Sequence, residues 1–225
     1  MLNIFNQSQV TKVSSNLIAN TFFAKKSRKK KKKINLDNTK TKVNLMTAFA
    51  GESQARNRYT YFAAKAFKEG YVKISKIFDE TAHQEKIHAK RFFEAMTGGT
   101  SKVRFDAEFD FGVVGSTQDN LKSASMGEKH EHEVLYPEFA KVAREEGFEE
   151  IAKLFEHISV AEKHHEERYV KLLEDLKKDK VFTKEEVVVW RCLNCGYLHW
   201  GVQAPYFCPA CGEGQAYFEE LNADW

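Results

Sequence analysis

The stretch "HQEKIH" (83–88) sets Glu85 three positions ahead of His88, and "AEKHHE" (161–166) repeats the pair with Glu162 and His165. Residues three apart share a helix face, so each pair offers an oxygen and a nitrogen in one direction. The surroundings repeat as well. "FAAKAFKEGYVKISKIF" (62–78) lies over "FAKVAREEGFEEIAKLF" (139–155) at an offset of 77, placing Gly70 on Gly147, Glu85 on Glu162 and His88 on His165. Upstream the offset becomes 76, where "AGES" (50–53) meets "MGEK" (126–129) and Glu52 falls on Glu128. A duplicated helical hairpin predicts a four-helix bundle with pseudo-twofold symmetry. The helices are expected over roughly 41–69, 71–97, 118–146 and 148–178. Gly70 and Gly147 divide each pair, "TGGT" (97–100) stops the second helix, and 98–117 is too long for a tight turn. Pro137, inside the third helix, removes an N–H and crowds the preceding turn, so a local kink is expected there.

The acids fall where the pattern asks for core side chains. In the second helix the stripe runs Ile74, Phe78, Thr81, Glu85, His88, Phe92; in the fourth, Ile151, Leu154, Ile158, Glu162, His165, Tyr169, Leu172. The first gives Leu45, Phe49, Glu52, Tyr59 and Ala63, and the third Leu121, Ala124, Glu128, Glu131 and Leu135. Bare carboxylates converging on one core are prohibitive: each loses several kcal/mol of solvation and repels the others. Cations resolve the conflict. One Glu from each of two helices plus Glu-x-x-His from each of the other two is the ligand set of ferritin-like dimetal carboxylate proteins. Glu131 breaks the symmetry, because its repeat counterpart is Ala55. An extra carboxylate suits a metal whose coordination changes with redox state, iron first and manganese as the alternative.

Charge is unevenly placed. Residues 1–36 hold nine Lys or Arg and no acid, so of the formal +3 the remainder carries −6. An acidic body argues against nucleic acid as its partner, and no run approaches the roughly 20 apolar residues of a membrane span. Residues 1–35 read as a basic, disordered extension without an apolar signal region. The expected location is cytoplasmic; the alternative is a mitochondrion-related organelle, with the extension as a transit peptide. All four cysteines lie in "CLNC" (192–195) and "CPAC" (208–211), the spacing of a metal site rather than of disulfides. Gly196 and Gly212 follow each pair, letting backbone N–H groups turn toward sulfur. "KKDKVFTKEE" (177–186) reads as a linker, and "EVVVW" (186–190) as a strand.

"NLMTAFAGESQARNRYTYFA" (44–63), "EKIHAKRF" (85–92), "YPEFAKVAREEGF" (136–148), "AEKHHEERY" (161–169) and "WRCLNCGY…CPACG" closely resemble rubrerythrin over about 36–225. The resemblance implies a mainly α protein: a ferritin-like four-helix bundle over 36–180 with a small rubredoxin-like β-rich metal domain over 186–225. It implies a diiron centre held by Glu52, Glu85, His88, Glu128, Glu131, Glu162 and His165, with one iron moving between Glu131 and His88. It also implies Tyr59 and Tyr136 as hydrogen-bonding tyrosines beside that centre, and one iron on Cys192, Cys195, Cys208 and Cys211, for which structural zinc is the alternative. The expected activity is peroxidase: hydrogen peroxide reduced to water with electrons from NADH, delivered by a separate reductase through the rubredoxin-like iron. The alternative is a ferroxidase and iron-storage role. A homodimer or higher homo-oligomer is expected, arranged head to tail. His83, His130, His132, His157 and His164 are read as solvated or as flanking the ligands.

Overall fold

Four rods of helix are present among the described residues, 35–96, 102–109 and 112–221, of the computed structural model. α1 (Lys40–Lys68) and α2 (Val72–Met96) make one hairpin. The third rod is α3 (Thr117–His130), a π-helical turn (Glu131–Leu135) and α4 (Tyr136–Glu145); α5 (Glu149–Lys177) pairs with it. The expectations for the basic extension before residue 35 and for "TGGT" lie outside the described residues.

The two hairpin corners are copies. Gly70 and Gly147 take φ of +83° and +85°, a left-handed conformation that ends a helix without a Cβ penalty. Each corner closes with the next N–H reaching back five residues, Tyr71 to the Ala66 carbonyl (2.9 Å) and Phe148 to that of Ala143 (2.8 Å). The glutamate before each glycine then caps the other hairpin's first helix. Glu69 accepts from the Thr117 N–H (2.8 Å) and hydroxyl (2.6 Å). Glu146 accepts from the Lys40 and Thr41 N–H groups (2.9 and 2.8 Å) and the Thr41 hydroxyl (2.6 Å). Carboxylates placed there satisfy orphan donors and favour the positive end of the helix dipole. Each hairpin thus fixes where the other begins.

The expected kink at Pro137 takes the form of the π-helical turn just before it. The Tyr136 N–H bonds to the Glu131 carbonyl, five residues back. Proline has no N–H to offer the next carbonyl, His132, and the Ser159 hydroxyl of α5 fills that place at 3.1 Å. The inserted residue also moves the inward stripe. Leu135, read from the sequence as core, is half-buried, and Tyr136, Ala140 and Ala143 carry the stripe onward.

Two apolar clusters fill the bundle on either side of the acids. One contains Tyr59, Phe62, Phe78, Leu121 and Tyr169; the other contains Leu45, Phe92, Tyr136, Phe155 and Ile158. Burying each such side chain stabilises by about 1.5–3 kcal/mol, which lets the core carry a polar layer between. Between α2 and α3, residues 102–109 run extended across α1. A Cβ at Gly51 would lie 3.8 Å from the Phe109 ring, so this glycine permits the close crossing.

The C-terminal sheet has the order β2 (Leu198–Gln203), β1 (Thr183–Cys192), β3 (Phe218–Glu220), all antiparallel. Trp190 is its buried centre and donates its indole N–H to the Gly201 carbonyl at 2.9 Å. The strand expected from residue 186 begins earlier, at Thr183. The segment read as a linker is tied down: Phe182 stacks on Tyr71 (6.2 Å, 7°) and Lys184 pairs with Asp175 (3.6 Å) and Glu220 (3.0 Å). Tyr217 meets Phe67 edge-on, so the sheet docks at the Gly70 end of the bundle. No helix among the described residues is long and apolar enough to cross a membrane.

Candidate metal centres

The Glu-x-x-His faces of α2 and α5 meet at mid-bundle, with Glu52 from α1 and Glu128 from α3 closing the other sides. His88 Nδ1 lies 2.9 Å from Glu85 Oε2, 3.0 Å from Glu162 Oε1 and 3.8 Å from Glu52 Oε2. His165 Nδ1 lies 2.8 Å from Glu162 Oε2, 3.1 Å from Glu85 Oε1 and 3.5 Å from Glu128 Oε2. The result is two overlapping four-ligand nests, Glu52–Glu85–His88–Glu162 and Glu85–Glu128–Glu162–His165. Glu85 and Glu162 belong to both and turn one oxygen to each.

Glu52 Oε2, Glu85 Oε1, Glu128 Oε2, both Glu162 oxygens and His165 Nδ1 are buried with no hydrogen-bond partner of acceptable geometry among the described residues. Buried polar atoms are costly unless satisfied, and all six point inward. A pair of hard-to-borderline cations fits this donor set, each with carboxylate oxygens and one imidazole. The outward-facing atoms, by contrast, are held. Tyr59 donates to Glu128 Oε1 at 2.5 Å, and Tyr136 donates to Glu52 Oε1. The two repeats thus clamp each other's carboxylates.

The nests differ in their surroundings. His165, with a side chain 3% exposed, directs Nε2 at Gln84 Oε1 (2.9 Å), which fixes the tautomer that turns Nδ1 inward. Gln84 donates to Glu80 (3.3 Å), and Arg168 holds Glu80 at 2.9 Å. Sequence reading missed Gln84; its position directly before a ligand was the available signal. His88 is 13% exposed and lines a surface cavity with Arg91, Lys153, Leu154 and His157. Glu131 joins neither nest. It sits half-buried on the π-helical turn, its Oε1 3.9 Å from where a Gly51 Cβ would be. His83, His130, His157 and His164 are exposed; His132 is half-buried and pairs with Glu166 at 2.5 Å.

Without cations the cluster neutralises itself with protons. Burial, then the charges of Glu162 and Glu85, drives Glu52 well above the ordinary carboxylate range. Burial and Glu85 take Glu128 to about 8, and burial and Glu128 raise Glu131 well above its usual value. Burial opposes the imidazolium, but Glu162 and Glu85 overcome it and raise His88 to about 10; Glu128, Glu162 and Glu85 raise His165 to about 12. Burial also works against ionised Glu85, yet contacts with His165 and His88 hold it at about 2. Metal ligation requires those protons to leave.

In the sheet domain the four sulfurs close on one another, Cys192 to Cys211 at 3.8 Å and Cys195 to Cys208 at 3.6 Å. A tetrahedron with metal–sulfur bonds of about 2.3 Å has edges of about 3.8 Å. Gly196 and Gly212 adopt φ of +80° and +79°, and their N–H groups bond to the Cys192 and Cys208 carbonyls. These turns aim the Tyr197 N–H at Cys195 and the Glu213 N–H at Cys211. The Glu213 N–H and then the Asn194 side chain lower Cys211 to about 6. Cys192 and Cys208 are buried while Cys195 and Cys211 reach the surface, so the site has an exposed edge.

A bundle core built for two carboxylate-bridged metals, joined to a tetrathiolate domain, defines a dimetal redox protein. The rubrerythrin profile matches residues 43–173, and that of the rubrerythrin rubredoxin-like domain matches 190–219. The chain is 49% identical to rubrerythrin of Nitratidesulfovibrio vulgaris over 84% of its length and 98% of that protein's. It is 50% identical to rubrerythrin-1 of Clostridium acetobutylicum, with coverage of 84% and 98%. The solved structure of fully reduced, all-ferrous nigerythrin superposes with a TM-score of 0.55 at 29% identity, covering 84% of this chain and 93% of that one. The chain belongs to the rubrerythrin family, with that family's diiron site in a ferritin-like bundle and a rubredoxin-like four-cysteine site. It is an oxidoreductase of that type.

Proposed function

We propose that the chain is a peroxidase that reduces hydrogen peroxide to two waters, consuming two electrons and two protons that originate in NADH and a solvent proton. The observation that carries this reading is the pair of nests sharing Glu85 and Glu162, in one chain with a separate tetrathiolate site. A pair of irons held there would supply both electrons at once and act as Lewis acids toward the peroxide.

Glu52, Glu85, His88, Glu128, Glu162 and His165 would hold the pair. Tyr59 and Tyr136, which burial raises well above the ordinary phenol range, stay protonated and keep donating to Glu128 and Glu52. The apolar clusters above and below exclude bulk water. Glu131, on the π-helical turn, is the spare carboxylate that would share ligation with half-buried His88 were the charge of a bound metal pair to change.

Electrons enter at Cys192, Cys195, Cys208 and Cys211. A chain's own sheet docks at the start of α2, and Glu85 lies about 20 Å further along that helix at about 1.5 Å per residue. We therefore assign electron delivery to the sheet domain of a second copy in a head-to-tail dimer, with a separate NADH-dependent reductase feeding that domain. The test is iron-reconstituted protein, anaerobic, with a rubredoxin-type reductase and NADH. Peroxide-dependent NADH oxidation at one NADH per peroxide is expected. Ferrous oxidation and iron accumulation without NADH-linked turnover would instead assign the storage role.

A further inference from the structure

Glu131 is not the only asymmetric position in the duplicated bundle. At the offsets of the repeat it falls on Ala55, Ser159 falls on Ala82 and Glu166 falls on Ala89. Three buried alanines of the first hairpin thus become polar residues in the second. His132, next to Glu131, falls on exposed Arg56. These exchanges gather in one region, the π-helical turn and the stretch of α5 behind it. Turns of that kind are rare and concentrate at functional sites.

The structure joins the exchanged residues to one another. His132 Nε2 donates to Glu166 Oε2 at 2.5 Å, since the carboxylate can only accept. The two side chains are 11% and 17% exposed, so the pair is largely out of water. The Ser159 hydroxyl meanwhile donates to the His132 carbonyl at 3.1 Å. One residue of the turn is therefore held twice, by its side chain and by its main chain. Positions 159 and 166 lie two helical turns apart on one face of α5, and the ligands Glu162 and His165 stand between them. The helix that carries two ligands also carries both anchors of the turn that presents Glu131. Glu133, also on the turn, is exposed and pairs with Lys129 of its own rod at 3.4 Å, so it gives no hold on α5.

We propose that Glu166 is a positioning residue: through His132 it fixes the π-helical turn at the height on α5 from which the Glu131 carboxylate reaches the nest of His88. This role rests on the reading of Glu131 as the spare ligand, and it gives Glu166 no contact with metal or peroxide. Without the bond the turn keeps one anchor instead of two. Glu131 then loses its place, while both four-residue nests keep all their donor atoms.

A double-mutant cycle on the full, iron-loaded chain tests it. Glu166→Ala installs the residue that the first repeat has, Glu166→Gln keeps an acceptor oxygen for His132, and Glu131→Ala removes the carboxylate being positioned. Both alanine variants are expected to retain two bundle irons after desalting. A carboxylate ligand favours the ferric state over the ferrous one, so Glu131→Ala is expected to raise the reduction potential of the bundle irons. Glu166→Ala is expected to raise it similarly and to slow peroxide turnover by about 10–100-fold. Glu166→Gln should recover most of both, and the double variant should match Glu131→Ala alone, because one residue acts through the other. In the metal-free protein, amide exchange across residues 131–136 is expected to quicken in Glu166→Ala and not in Glu166→Gln. The positioning role alone is overturned if the two alanine effects simply add, if Glu166→Ala loses bundle iron, or if Glu166→Gln behaves like Glu166→Ala. It is overturned equally if Glu166→Ala matches the parent while Glu131→Ala shifts the potential. A Glu131→Ala variant that shifts nothing removes the spare-ligand reading and the role of Glu166 with it.

Discussion

Replacing Gln84 by leucine removes one acceptor at nearly constant volume and leaves every metal ligand in place. The His165 Nε2–H, 2.9 Å from Gln84 Oε1, then has no partner in a position where the ring is 3% exposed. Losing a net hydrogen bond and stranding a buried donor costs about 1–3 kcal/mol. Loss of a comparable outer partner elsewhere weakens metal binding by about 10–100-fold, or about 1.4–2.7 kcal/mol, which agrees. The effect should be lopsided, because His165 belongs to only one nest and His88 has a different environment. Anaerobic titration with Fe(II) or Co(II) against a competing chelator resolves two bundle equivalents. One is expected to weaken by roughly 10–100-fold and the other by much less. Gln84→Glu, which keeps an oxygen acceptor, should recover most of the loss. Two equivalents as tight as in the parent protein, or equally weakened, would refute the role assigned to the Gln84–Glu80–Arg168 chain.

Glu85→Ala or Glu162→Ala should lose both bundle metals, since both nests share these carboxylates, whereas Glu52→Ala should retain one equivalent; metal analysis after desalting distinguishes them. Glu131→Ala should leave metal content unchanged and slow peroxide turnover, and unaltered single-turnover kinetics would make that carboxylate dispensable. Cys192→Ser with Cys195→Ser should abolish NADH-linked turnover while sparing one turnover of chemically reduced protein, followed by stopped flow. The metal-free bundle should melt at lower temperature as pH rises. Its raised groups favour folding only while the native state holds the extra proton, an advantage lost from about 4.5 through about 8 for Glu128 and from about 6.5 through about 10 to 12 for the two histidines. Metal should bind more tightly over the same rise, so melting in chelator and in Fe(II) should diverge between pH 6 and pH 9.

Much of the bundle was legible because its signals are local. Gly70 and Gly147 end helices wherever they stand in such a pattern, and the stripe Ile74–Phe78–Thr81–Glu85–His88–Phe92 needs no tertiary knowledge to be read as inward. The rest depended on contacts between elements. That Glu69 caps the third rod and Glu146 the first cannot be read from either helix alone, although both stand at the repeat offset. Gln84 carries no periodic signal, and its role exists only because Arg168 and Glu80 from two helices hold it toward His165. The early start of β1 was hidden in a charged stretch, because what orders it is the face of Tyr71 on another domain.

The change of repeat offset was visible in the sequence before its meaning was. Glu52 maps to Glu128 at 76, while Tyr59 maps to Tyr136 at 77, so the second repeat holds one additional residue between its carboxylate and its tyrosine. An extra residue in a helix is absorbed as a π-helical turn, and here that turn is Glu131–Leu135. Had the helix stayed regular, Leu135 would face inward and Tyr136 would turn away from Glu52. With the insertion, Tyr136 is brought back to the carboxylate it clamps, in the same relation that Tyr59 has to Glu128. The insertion therefore preserves the twofold clamp while creating an unmatched position at its start, and Glu131 occupies it. Pro137 holds the turn in place, since it supplies no N–H with which a regular α-helix could re-form, and Ser159 takes up the carbonyl left over. The asymmetry of the centre and the irregularity of the third rod are one feature, set by a single added residue.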